Sequence, residues 1–305
     1  MKNVLKHKHT RKIFITLVVI SFILISLIQI LLIPEIEKHS INKEIIMYIK
    51  RILDSFMISL FVSVLIALIS NYFEIPDTEK KFDILEPYKL QEQFSKSYNT
   101  LTFWYFTGGI GRYTRDITLK KIDEISRTNN QHIRLNIAIL NPSKNRICED
   151  YAKYRRNLNS SKSNHFSWDY NNVKLEVLTT IIILAIYKSN NDLLDIDLRL
   201  KNNFSTLRLD INNSEIFITK EDKREASIYA KKDSFIYRTY LEDFNQSFKF
   251  LQKIDLKLQN NYNVKKITSV QVLEILKDIK LLNLIEQDKI EILVQKIKKN
   301  DNPYI

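Results

Sequence analysis

FWYFTGGIGRYTRD, residues 103–116, holds Gly108, Gly109 and Gly111, the only three glycines in a chain of 305 residues. Glycine ordinarily supplies about 7% of a protein, so this chain avoids backbone freedom nearly everywhere and concentrates it here. Such a cluster marks a turn that needs positive φ, or a close approach of the backbone to something else. The flanking residues define the turn. LTFWYF (101–106) is aromatic and apolar throughout and reads as a buried strand. TRDITLKKIDEISR (114–127) spaces Ile117, Ile122 and Ile125 as a helix, with Leu119 beside them. HIRLNIAIL (132–140) alternates Ile133, Leu135, Ile137 and Ile139 as a second strand. The glycines therefore occupy the first loop of a β–loop–α–β unit. A strand-to-helix turn exposes backbone N–H groups beside a helix N-terminus, where anions are favoured. Arg112 and Arg115 flank it with fork-shaped donors suited to phosphate. GGIGR is neither a Walker A loop nor G-x-G-x-x-G, and a plain glycine turn with solvated arginines is the competing reading.

Downstream, Lys144 to Leu158 and Asn172 to Lys188 read as helices, the second strongly apolar through VLTTIIILAIY, and LLDIDLRL (193–200) reads as a strand. STLRLDI (205–211) and EIFIT (215–219) straddle Asn212-Asn213-Ser214, a good hairpin turn. A helix around Tyr237 to Leu258 follows. The tail, 259–305, reads as two short amphipathic helices suited to packing or to a partner surface.

At the other end, Ile13 to Ile33 is a run of uncharged, mostly apolar residues. At ~1.5 Å per residue it spans about 31 Å, enough for a hydrocarbon core. A second uncharged run covers Ser55 to Phe73. Together they predict a two-helix transmembrane hairpin over residues 1–75, with spans 13–33 and 52–73, and a linker over 76–97 containing Pro76 and Pro87. Lys2, Lys6, Lys8, Arg11 and Lys12 before the first span, against Lys38, Lys43, Lys50 and Arg51 between the spans, favour both termini on the cytoplasmic side of a bacterial inner membrane. Ser55, Ser59, Ser63 and Ala67 recur every four residues as a small-residue stripe. It serves either closure of the hairpin or self-association into a homo-oligomer.

Charge and cysteine usage exclude more than they assign. The net charge of +12 and pI near 9.4 come mostly from scattered lysines, a weak pointer to nucleic acid or anionic lipid. The single Cys148 rules out an intramolecular disulfide framework and any zinc-ribbon spacing. His7, His9, His39, His132 and His165 form no metal-ligand pattern. No metal and no cofactor is expected.

The order β, α, β, α, α, β, β-hairpin, α over roughly residues 98–250 resembles one half of a phospholipase D-like domain, which is placed at 98–258. In that family a strand carries H-x-K-x-x-x-x-D and a hairpin turn follows. TLRLDINN puts Thr206 where the histidine nucleophile stands, Arg208 at the lysine and Asn213 at the aspartate. The resemblance implies a mixed α/β sandwich whose phosphodiesterase is lost, because Thr206 cannot form the phosphohistidine unaided. A phosphate-shaped pocket would then remain, lined by Arg112, Arg115, Thr206 and Arg208.

The two spans joined to such a domain also resemble small bacterial antiphage effectors of retron and cyclic-oligonucleotide signalling systems. That resemblance implies an effector that disrupts the inner membrane when its cytosolic domain senses a signalling nucleotide, a nucleic acid or a reverse transcriptase–DNA complex. Membrane lipid would be its other partner. Two alternatives stay open. One is a membrane-anchored phosphodiesterase or nuclease, with Asp116, Asp210, Glu221 and Asp222 around a metal. The other is a non-catalytic scaffold.

Overall fold

The computed structural model describes residues 8–39, 43–73, 81–98, 101–159, 167–222 and 224–299. His7, His165 and the 74–80 stretch lie outside them. The chain divides into two compact units, Met1–Lys80 and Lys81–Ile305.

In the first unit, helix α1 (Lys8–Leu27) passes through a π-helical turn (Ile28–Leu32) into α2 (Ile33–His39). Pro34 is the second residue past that turn; its missing N–H and its ring disturb the ladder one turn back. Helix α3 (Lys43–Phe73) lies against them, with Gln29 Nε2 donating to Asp54 Oδ1 at 2.9 Å. Among the described residues, one segment, Thr16–Ile36, is long and apolar enough to cross a membrane, with mean hydropathy 2.9. The expected two-span transmembrane hairpin is therefore corrected to a single candidate span. The 52–73 run is not a separate apolar helix. It is the later part of a 31-residue helix whose earlier turns carry Lys43, Glu44, Lys50, Arg51 and Asp54.

The second unit is built on one mixed eight-stranded sheet. Its strands are β1 (Phe82–Leu85), β2 (Phe103–Thr107), β3 (Ile133–Leu140), β4 (Leu194–Lys201), β5 (Leu207–Asn212), β6 (Glu215–Lys220), β7 (Ser227–Lys231) and β8 (Gln252–Ile254), in the order β1-β7-β6-β5-β2-β3-β4-β8. β2, β3 and β4 are parallel, and every other pairing is antiparallel. This corrects the expected phospholipase D-like sandwich. β5 pairs directly with β2, Trp104 opposite Asn212 and Thr107 opposite Leu209. That ladder joins the parallel strands and the antiparallel meander edge to edge in one sheet. The stretch read as linker contains β1 and helix α4 (Pro87–Ser97).

Alternation along the strands sends side chains to two cores. Trp104, Phe106, Ile133, Leu135, Ile137 and Ile139 face one side. There they meet α5 (Leu119–Asn129), α6 (Asn145–Arg156) and α7 (Tyr170–Asn190). Tyr105, Leu209, Ile211, Ile216 and Ile218 face the other side, under Tyr237, Phe244 and Phe248 of α8 (Phe235–Lys249). Helix α7 is apolar on every side from Val177 to Ile186 and buried on every side. Its outer face is covered by α9 (Ser269–Asp278) and α10 (Ile290–Lys299), the two tail helices, through Val272, Ile275, Leu293 and Ile297. The capping box of Thr268 and Gln271 starts α9 where the sequence turns apolar.

The glycine loop is stitched to β3: Gly108 N–H donates to Ala138 O at 3.1 Å and Leu140 N–H to Gly109 O at 3.0 Å. Gly111 has φ +68°, the conformation that L side chains avoid. Gly109 is there for space, since a Cβ on it would stand 2.5 Å from the ring of Tyr151, which is fully buried. Gly109→Ala is expected to lower stability by ~1–3 kcal/mol through overpacking. The measurement is the denaturant midpoint of unfolding, and an unchanged midpoint would refute the close approach.

Candidate recognition site at the glycine loop

Two buried carboxylates organise the loop. Glu176 of α7 is the centre of the first network. Arg115 Nη2 reaches its Oε2 at 2.7 Å, Arg112 Nε lies 3.2 Å from the same oxygen, and Lys296 Nζ of α10 donates to Oε1 at 2.7 Å. Arg115 also donates from Nη1 to Glu176 O at 2.9 Å and from Nε to Asp116 at 3.0 Å. Thr180 closes the network, its hydroxyl donating to Ile110 O at 2.7 Å. Burial by itself would raise the Glu176 carboxyl; the fields of Arg115, Arg112 and Lys296 outweigh it and hold the group down to about 2. This anion's contribution to stability is complete above the ordinary glutamate range and is lost as pH falls toward 2.

Glu221, just past β6, is the centre of the second. Arg155 Nη1 lies 2.6 Å from its Oε2, and Arg208 Nη1 lies 3.8 Å away. The Gly109 N–H and the Tyr151 hydroxyl lie near enough to favour this carboxylate's charge, although the Tyr151 hydroxyl makes no hydrogen bond to it. Burial opposes its charge, yet Arg208, Arg155 and these donors keep its pKa below the usual value. Trp168 lies between the networks, with the Arg155 guanidinium 4.2 Å and the Arg112 guanidinium 5.9 Å from its ring centroid. Lys201, at the end of β4, donates to Thr107 Oγ1 at 3.1 Å; burial pulls its ammonium down to about 8, against the attraction of Glu221.

The anion positions foreseen at the glycine turn are thus occupied by the chain's own carboxylates. Arg112 and Arg115 meet on Glu176, while Arg208 joins Arg155 on Glu221 instead, and its Nε donates to Thr219 at 3.1 Å. Thr206 is exposed ahead of β5. His132 precedes β3, at the opposite end of that strand from the loop. Among the described residues, no group of His, Cys, Asp or Glu could hold a metal ion. Asp210 accepts from the Trp104 indole at 3.1 Å and Asp222 from the Arg224 N–H at 3.1 Å, so the acidic residues point to separate partners. On α3, the hydroxyls of Ser55 and Ser63 donate to their own helix, to Arg51 O and Ser59 O at 2.8 Å each.

Sequence reasoning missed Arg155, Trp168, Glu176, Lys201 and Lys296. One signal was available: Glu176 is the sole acidic residue of the long apolar helix, and a buried charge needs partners.

No family model matches this chain, and no curated protein matches it. Among solved structures it is similar to TrmBL2, described as an archaeal chromatin protein with a novel mode of DNA binding. The likeness has 12% identity and a TM-score of 0.34, over 68% of this chain and 66% of that one, just under two thirds of its length. A likeness at that score carries no argument about this chain.

Burial pushes Asp210 up to about 7, against the pull of Arg208 and the Trp104 indole. A carboxyl raised in the folded state destabilises it progressively as pH climbs from the ordinary aspartate range through 7. Asp210→Asn, which can still accept from Trp104, should therefore match the parent near pH 4 and unfold at higher denaturant near pH 8. Equal midpoints at both pH values would remove this account.

Proposed function

We propose that this chain is a membrane-attached, non-catalytic receptor and effector. Its α/β unit recognises a phosphate-bearing trigger at the carboxyl ends of β2, β3 and β4, and its Thr16–Ile36 helix is the attachment to a bacterial inner membrane. The observation that carries the reading is the buried carboxylate of Glu221, held between Arg155 at 2.6 Å and Arg208 at 3.8 Å beside the glycine loop. A dianionic phosphate competes for that seat with more charge and more acceptor oxygens than a carboxylate has. Displacing Glu221 would move the end of β6 and the loop after it, which gives binding a mechanical consequence.

Two further features support the reading. Exposed Leu17, Ile20, Ile23, Leu24, Leu27 and Ile30 make the first helix unsuited to water. Arginines flank the Glu221 carboxylate on two sides, Arg155 from α6 and Arg208 from β5. The antiphage role belongs to the same proposal. A signalling nucleotide, a nucleic acid and a reverse transcriptase–DNA complex all present phosphate, and copies of the chain would assemble on the membrane in response.

The test uses the full-length protein in detergent with inorganic pyrophosphate as the probe, followed by titration calorimetry. Arg208→Ala should weaken binding about tenfold or more, the loss of one charge-assisted pair. Glu221→Gln should strengthen it several-fold by removing the internal competitor. Binding that neither substitution moves would overturn the proposal.

A further inference from the structure

The β3–α6 loop, the start of α6 and the β4–β5 loop flank an open cleft of about 630 Å³, within the size range of pockets for one small ligand. It lies at the carboxyl ends of two parallel strands, β3 and β4, the end of an open α/β sheet where ligands are held. Its wall is rich in donors. Asn202 is oriented by its carbonyl, which accepts from Asn141 Nδ2 at 3.0 Å, and Asn145 by its own, which accepts from the Tyr170 hydroxyl at 2.7 Å. In both, the amide NH₂ is the group left for a ligand. The side chains of Lys144 and Asn203 make no hydrogen bond or ion pair among the described residues. Arg146 reaches only a long contact of 3.9 Å to Asp150, so its guanidinium remains mostly available. One aromatic ring, Phe204, closes the wall. A ligand matched to this cleft carries negative charge at one end and a flat, acceptor-bearing ring at the other.

We propose that the cleft binds a single nucleotide, its phosphates on Lys144 and Arg146 and its base against Phe204 and the amides of Asn202 and Asn203. None of the residues around Glu221 lines this cleft, so it is a second site that goes beyond the receptor reading and is coupled to the Glu221 seat through Phe204. Phe204 also links the cleft to the ion-pair network. Its ring packs edge-on against Tyr151 at 5.8 Å and tilted against Tyr154 at 5.6 Å. Tyr151 lies near Glu221, though its hydroxyl makes no hydrogen bond among the described residues, and its ring is the surface that forbids a side chain at Gly109. A base that shifts Phe204 therefore acts on the glycine loop through one buried ring.

The test titrates the full-length protein with each of the four ribonucleoside triphosphates, with adenosine and with pyrophosphate. The parent is compared with Lys144→Ala, Asn203→Asp and Arg208→Ala; Lys144 and Asn203 are exposed, so folding is not at stake in the first two. At least one triphosphate should bind about tenfold or more tightly than either adenosine or pyrophosphate, and Lys144→Ala and Asn203→Asp should each weaken it about fivefold or more. If no triphosphate binds, or if the tightest one is indifferent to both cleft substitutions, the inference is overturned. Sensitivity of pyrophosphate to Arg208→Ala in that case leaves the receptor reading standing. Conversely, triphosphate binding that follows the cleft substitutions but ignores Arg208→Ala and Glu221→Gln supports the cleft and removes the receptor mechanism.

Discussion

Glu176 is held in the most deeply buried helix of the α/β unit by three cations that come from two other places in the chain. An isolated carboxylate in such a position would be neutral or would unfold its surroundings, because desolvating the charge costs several kcal/mol. Arg115 and Arg112 arrive from the glycine turn and Lys296 from the final helix, so one oxygen pair ties the start of the β–α–β unit to the end of the chain. Breaking a pair of this kind typically costs about 3–5 kcal/mol. The tail helices are therefore part of the core in a second sense, electrostatic as well as apolar.

The same constraint explains the glycine cluster. The turn has to pass Tyr151 closely enough that no Cβ fits at Gly109. It has to pass near Glu221, and then reverse through a left-handed residue at Gly111. Arg112 and Arg115 then leave the turn pointing at Glu176. A loop built to receive an anion is filled from within, and that makes it a competitor for external phosphate rather than an open cradle. The cleft beyond Phe204, by contrast, carries the Lys144 side chain, unpaired among the described residues, and its one carboxylate, the half-buried Asp150, makes only a long contact with Arg146.

Much of the architecture was legible in local pattern. Period-two alternation in HIRLNIAIL, the all-apolar FWYF segment and the Asn212-Asn213-Ser214 turn are short-range signals, and the corresponding elements are β3, β2 and the β5–β6 hairpin. β1 and α4 were not legible: FDIL is four residues at a sheet edge with three of them exposed, too short and too wet to show a period. The second membrane span was over-read because an uncharged window says nothing of the charged turns before it in the same helix. The sandwich was over-read because element order does not specify which strand β5 will pair with.

What the sequence by itself determined is the longer elements from β2 to the β5–β6 hairpin, the one strongly apolar N-terminal helix and the place where the backbone must bend, since each follows from propensity and periodicity within about a dozen residues. The tertiary structure decided which charges meet. Arg115 and Glu176 are 61 residues apart, Arg155 and Glu221 are 66 apart, and Glu176 and Lys296 are 120 apart. Many other arginine–carboxylate pairs are equally allowed by composition. Only the closing of β2 onto β5 and β3, with α7 laid across them, brings these particular groups out of water together, and at that depth an unpaired partner is too costly to leave.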